Sequence, residues 1–343
     1  MKAMVLRGPN MPFELSNVPD PTPGPGEAVA RVITCGSGLT IQHVKAGRRK
    51  VAFPRIIGHE ITAEIVAVGA GVSHLRIGDA VTAYYYLNCG HCRWCLANLE
   101  PLCAETGGNV GLECDGGYAE YIKLPAHIFI KLPETLDHRA HPAEIGVVTD
   151  ALATPYKVLS RARIKGGETV AVIGAGGGVG IHQVMFAAWA NARVIAVDVA
   201  ADKFEACRKA GADVTIDPRS TDLVAALHDL TQGDGVDVVI DYVCTRATLE
   251  AGVKALGRRG RLVILGGAAQ PFNVPAREML LKELEVIGSR YVTRAEILAT
   301  LDIVARREVW PLVTDIRPLA EAEAVHDRVE RGAVTGRAAL RIQ

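Results

Sequence analysis

The stretch "ETVAVIGAGGGVGIHQVMFAAWANARVIAVD", Glu168 to Asp198, narrows the possible folds more than any other in the chain. The apolar run "TVAVI" leads into Gly174, Gly176, Gly177, Gly178 and, past Val179, Gly180, and then into a segment with the apolar spacing of a helix. Strand, glycine turn and helix in direct succession form the repeating unit of a parallel sheet wound on both faces. The glycines allow a tight turn and let the backbone approach a pyrophosphate, whose charge rests on the N–H groups of the helix N-terminus. The next apolar run, "ARVIAV", ends at Asp198, eighteen residues after Gly180. A carboxylate there accepts hydrogen bonds from adenosine ribose hydroxyls and repels a 2′-phosphate, so the pattern predicts NAD rather than NADP. Lys203 works against that choice, because a nearby cation tolerates phosphate.

The same alternation continues through "VDVVIDYVCTRATLEAGVKAL" and "GRLVILGG". Before about residue 150 the pattern differs: "EAVARVITCG", "ITAEIVAVGAGV" and "YAEYIKLP" are short β-rich runs punctuated by Gly and Pro, the mark of a compact β domain. At 343 residues the chain is too long for one ordinary core, which agrees with two domains. Its 38 basic and 38 acidic residues balance, so nothing favours nucleic acid or a membrane surface, and a small-molecule partner is expected. The N-terminal "MKAMVLRGPNMPFELSNV" has no apolar segment of the kind a signal peptide or membrane span needs, which predicts a cytoplasmic protein.

In that reducing compartment the 8 cysteines are expected to be buried or to bind metal rather than pair as disulfides. Cys89, Cys92, Cys95 and Cys103 fall in "CGHCRWCLANLEPLC" with spacing C-x2-C-x2-C-x7-C. Four thiolates on one loop close a tetrahedral shell around Zn²⁺ and leave no position for substrate, which makes this a structural site. An iron–sulfur cluster accepts the same four ligands.

With "GHE" at Gly58 to Glu60, "GDAV" at Gly78 to Val81, "GGYAEY" at Gly116 to Tyr121 and "TDALATPY" at Thr149 to Tyr156 added to the cysteine and glycine loops, the chain resembles the zinc-dependent medium-chain dehydrogenase/reductase family, its alcohol dehydrogenases in particular. The resemblance implies an α/β chain with a GroES-like β catalytic domain plus a Rossmann doubly wound parallel-sheet domain. The catalytic domain would take residues 1–151 with the zinc lobe at 89–103, the NAD-binding domain 152–287, and a return segment 288–343 would complete the first. It also implies a zinc-dependent NAD(H) alcohol dehydrogenase or carbonyl reductase; Tyr84, Tyr85 and Tyr86, just before the cysteine lobe, suggest an aromatic wall and with it a secondary or aromatic alcohol. The chain would be a homo-oligomer, a tetramer rather than a dimer, with two zinc ions each.

The catalytic zinc would take Cys35, His59 and Asp150, with Glu60 as a carboxylate able to exchange with metal-bound water. Thr154 would touch the nicotinamide, Arg337 the pyrophosphate, and Ser37 would begin the proton path. One thiolate, one imidazole and one carboxylate leave a fourth tetrahedral position open, as a catalytic zinc requires. Two departures stand out. Gly38 and Thr40 occupy the places of an orienting aspartate and a relay histidine, so His59 must find another acceptor for its second N–H. Thr40 is then expected to pass the proton and His43 to receive it. The loop "GAGGGVG" also resembles quinone and enoyl reductases of the same superfamily, and an NADPH-dependent member lacking a functional catalytic zinc is the alternative. A non-catalytic nucleotide-binding protein is the reading from another class.

Overall fold

The computed structural model describes residues 1–266 and 271–342. The chain divides into two compact units, one built from 1–153 and 292–343 and the other from 154–291.

The second unit holds a six-stranded sheet whose spatial order is Val214–Ile216, Arg193–Val197, Thr169–Ile173, Val236–Asp241, Leu256–Ile264 and Glu285–Gly288. Every neighbouring pair is parallel. Counted in chain order the strands run 3-2-1-4-5-6, the doubly wound arrangement. Alternation along each strand feeds two apolar cores. Val170, Val172, Val194 and Ala196 pack on one face, and Ala171, Ile173, Ile195 and Val197 on the other. A sheet buried on both faces needs such uninterrupted apolar runs, which is why "TVAVI" and "RVIAV" show no polar alternation. Thr245 begins the Arg246–Ala255 helix with a capping box that satisfies its first N–H groups.

In the first unit a seven-stranded sheet is centred on the long strand Glu27–Ser37, which pairs antiparallel with Glu60–Val68, with Tyr121–Pro125 and with the C-terminal strand Arg337–Arg341. The tail thus returns to the first unit. Two registers decide the site's geometry: Cys35 lies opposite Ile61 and Gly36 opposite Glu60, while on the other side Leu340 lies opposite Cys35 and Ala338 opposite Ser37. Residue 150 sits in a single turn of π-helix, Val148–Leu152, a widened turn found frequently at functional sites. Among the described residues no helix is long and apolar enough to cross a membrane.

Candidate active site

The cysteine loop gathers its sulfurs around one point. Sγ of Cys92 lies 3.6 Å from that of Cys95 and 4.0 Å from that of Cys103, and Cys89 lies 3.9 Å from Cys95. All four fall within 4.8 Å of one another. Four sulfurs bound at about 2.3 Å to a single ion sit about 3.8 Å apart, so the set fits zinc, whereas a multi-iron cluster would spread its ligands around several centres. The N–H of Cys89 reaches the sulfur of Cys103 at 3.4 Å and that of Cys92 reaches Cys89 at 3.3 Å. Backbone N–H groups of Cys95 and Ala104 pull the Cys92 thiol down to about 6, while burial pushes that of Cys95 up to about 12.

A second cluster forms where the Glu27–Ser37 and Glu60–Val68 strands, the π turn and the return strand meet. Arg337 Nη2 lies 2.8 Å from Glu60 Oε2 and donates to Asp150 Oδ2 at 3.2 Å, while its Nε donates to Glu60 at 3.0 Å. His59 Nε2 lies 3.4 Å from Asp150 Oδ2, and the N–H of Ala151 donates to Glu60 Oε1 at 3.3 Å. One guanidinium, two carboxylates and one imidazole therefore share a buried cluster in which Glu60 is 0% and Arg337 5% exposed. Burial pushes the Glu60 carboxyl above its usual range; the Arg337 charge opposes this and Asp150 reinforces it. His59 Nδ1 is buried without a hydrogen-bond partner, so the ring finds its acceptor through Nε2, in Asp150.

Cys35, expected from the sequence beside His59 and Asp150, does not join this cluster. Side chains alternate along a strand, and Cys35 shares its face with Ile61, while Gly36 shares the opposite face with Glu60. The Cys35 sulfur lies 2.7 Å from where a Cβ on Gly58 would be and 3.0 Å from that of Gly117, beside Tyr118. Burial raises its thiol well above the ordinary range, and the Glu60 charge adds to this. Among the described residues the four-cysteine loop is the one group of three or more His, Cys, Asp or Glu donors close enough to hold an ion. Cys35, His59 and Asp150 as they stand do not fit a metal.

The expected proton path changes with it. Ser37 shares the Cys35 face, and its hydroxyl meets His326 Nε2 at 3.3 Å. Tyr118 OH reaches the same nitrogen at 3.0 Å, and His326 Nδ1 donates to Gln42 Oε1 at 2.7 Å. Burial, with Lys45 nearby, pulls His326 down to about 3, so it stays neutral inside the core. Thr40 is half-buried with no hydrogen bond to the cluster, and the exposed His43 accepts from Arg48 Nε at 2.7 Å instead of serving Ser37 or Thr40. Arg337, expected at a pyrophosphate, spends its guanidinium on Glu60 and Asp150. No motif pointed to His326; the only signal was a histidine in an otherwise amphipathic helix, Ala322–Glu330.

In the second unit the glycine turn is built as the sequence suggested. Gly174 has φ +80, which strains any residue with a side chain, and a Cβ on Gly180 would lie 2.0 Å from the Gly174 carbonyl oxygen, so a side chain there would have to displace backbone. Asp198 follows the Arg193–Val197 strand and accepts from the N–H of Gly176 at 2.8 Å and of Ala200 at 2.9 Å, tying the turn to the strand end. The Lys203 stem packs over Gly176, where a Cβ would come within 2.6 Å of its Cδ. Thr154 is buried in the first turn of the Ala153–Ala162 helix.

Residues 24–134 match the alcohol dehydrogenase GroES-like domain and residues 178–306 the zinc-binding dehydrogenase domain. The whole chain is 32% identical to an alcohol dehydrogenase of Geobacillus stearothermophilus over 345 residues, covering 100% of each. It is 31% identical to an NAD-dependent alcohol dehydrogenase of Sulfurisphaera tokodaii, with 99% of each chain covered. The crystal structure of an alcohol dehydrogenase from Aeropyrum pernix superposes with a TM-score of 0.91 at 30% identity, covering 100% of both chains.

Proposed function

The chain belongs to the zinc-binding medium-chain dehydrogenases of the alcohol dehydrogenase type, and on that premise we propose that it is an NAD(H)-dependent alcohol dehydrogenase or carbonyl reductase whose substrate is a secondary or aromatic alcohol or the matching carbonyl compound. The observation that carries the cofactor half of this reading is the Gly174–Gly180 turn tied to Asp198. The turn would hold a pyrophosphate on its N–H groups, the outer rim of the Asp198 carboxylate would take the ribose hydroxyls, and Thr154 would face the nicotinamide. Bound NAD would supply the hydride chemistry. Zinc belongs in the cysteine loop, where a full shell of sulfur ligands ties the lobe together and leaves no position for substrate. A cytoplasmic homotetramer completes the reading; its size is checked by light scattering.

One observation favours a second reading, reduction of an alkene conjugated to a carbonyl: the Arg337 guanidinium lies between the carboxylates of Glu60 and Asp150. Such a reduction adds hydride to the β-carbon and a proton to the α-carbon, and needs no metal-bound alkoxide. Oxidation of NADH and NADPH against a panel of ketones, aldehydes and conjugated alkenes separates the readings. Turnover of a carbonyl with NADH supports the first, turnover of conjugated alkenes alone moves the assignment to the second, and cofactor binding without turnover overturns both.

A further inference from the structure

We infer that the Arg337 guanidinium permanently occupies the place where a second, catalytic metal would be held, so that the folded chain binds one zinc ion, in the cysteine loop, and none at His59 and Asp150. This goes beyond the choice between carbonyl and alkene, because it concerns what the site contains rather than which bond is reduced.

Four observations carry it. The thiol of Cys35 faces the other side of the sheet. Gly38 is the position from which a short side chain would point into the cluster: a Cβ there would lie 2.4 Å from Arg337 Cζ and Nη1 and 2.6 Å from Nη2. Glycine offers no donor, and its missing side chain is the space the guanidinium fills. The carboxylate oxygens an ion would use, Oε2 of Glu60 and Oδ2 of Asp150, already accept from Arg337 at 2.8 Å and 3.2 Å. Finally, Arg337 is fixed at its base by the pairing of Ala338 with Ser37, and its side chain is 6% exposed, so it has no solvent-facing alternative nearby.

Chemistry points the same way. A divalent ion among these residues would face a fixed cation across a few ångströms in a buried setting, where like charges are poorly screened. It would also lack the sulfur donor that would make a three-ligand site. The guanidinium meets the carboxylates' need for positive charge with directional hydrogen bonds.

The test is metal content, which does not depend on finding a substrate. Protein purified with zinc present and passed over a desalting column is assayed by elemental analysis, for the wild type and for His59→Ala, Asp150→Asn and Cys95→Ser. One zinc per chain in the first three, and near none in Cys95→Ser, is the expected result. Because Cys95→Ser risks losing the fold, the wild type reconstituted with Co²⁺ gives a second reading: a single equivalent with thiolate-to-metal charge transfer is expected. Two equivalents in the wild type, one of them lost in His59→Ala or Asp150→Asn, would overturn the inference. A chain that binds only one zinc yet shows no turnover would leave the inference standing and refute the proposed activity.

Discussion

The contact between Gly38 and Arg337 predicts a strong and signed coupling. Arg337→Ala removes a guanidinium bonded to two buried carboxylates. Removing one partner of a buried ion pair costs about 3–5 kcal/mol, and the lower end applies here because burial already raises Glu60, which can take up a proton. Gly38→Ala acts differently. Gly38 has φ −149 and ψ −175, extended backbone that alanine adopts freely, so loss of unfolded-state freedom alone would stabilise by about 0.4–1 kcal/mol. The added Cβ, however, lands within 2.6 Å of three guanidinium atoms. The guanidinium must retreat, weakening charge-assisted bonds of which each contributes about 1.5–3 kcal/mol.

The single substitution at Gly38 should therefore destabilise by about 1–2 kcal/mol. In an Arg337→Ala background the three atoms nearest to that Cβ are gone, and the same substitution should stabilise slightly. The coupling between the two positions is then about 1.5–3 kcal/mol, well outside the few tenths expected of independent sites. Equilibrium urea unfolding of the four proteins at pH 7, with reversibility checked by refolding, measures it. Additive effects would mean that Arg337 does not lie over Gly38, and the reading of the cluster would fall with that contact.

Other outcomes follow from the same structure. Gly38→Cys combined with Arg337→Ala supplies a thiol and removes the cation, so it should raise zinc content from one to two equivalents; content that stays at one would show that these residues are not what excludes the metal. Asp198→Ala should weaken NAD and narrow its advantage over NADP by about 10- to 100-fold, the equivalent of one or two hydrogen bonds to a charged group, measured as the ratio of dissociation constants. Burial of Glu64 would raise its carboxyl, but bonds from His138, Arg139 and Arg31 outweigh this and hold it at about 2. Because that value lies below the unfolded value near 4.5, the stabilisation is present above pH about 4.5 and is lost as pH falls towards 2. Glu64→Gln should flatten this acid limb by about 1–2 kcal/mol, discounted because Arg139 is 74% and Arg31 39% exposed; an unchanged limb in urea titrations between those pH values would refute the assignment.

Much of the fold was legible because it rests on local patterns. Uninterrupted apolar strands followed by glycine turns define the parallel sheet, and the cysteine spacing defines its loop without reference to anything distant. The pairing of His59 with Asp150 was half legible, since each sits in a recognisable motif although 91 residues separate them. Arg337 was legible as a residue but not as a neighbour. It meets Glu60 across 277 positions, and nothing in either segment announces the other. His326 has the same difficulty, reaching Ser37 across 289 positions from a helix whose pattern reads as ordinary packing.

The separation of Cys35 from the cluster has a narrower cause, and it lies in strand parity. Cys35 and Ser37 are two apart and must share a face of an extended strand, leaving Gly36 and Gly38 towards the other. A motif reading weighs the residues that carry chemistry and passes over the glycines between them. Here the glycines decide the matter. Gly36 lets Glu60 close against the strand, since a Cβ would come within 2.6 Å of its Oε2, and Gly38 admits the guanidinium. Two absent side chains thus create a space that only a long cationic residue, delivered by the last strand of the chain, can both fill and neutralise. Cys35 can be replaced by Ala at a cost in packing alone, whereas any side chain at Gly36 or Gly38 must rearrange the charged cluster. The sensitivity of this segment to mutation should therefore run opposite to the reactivity of its residues.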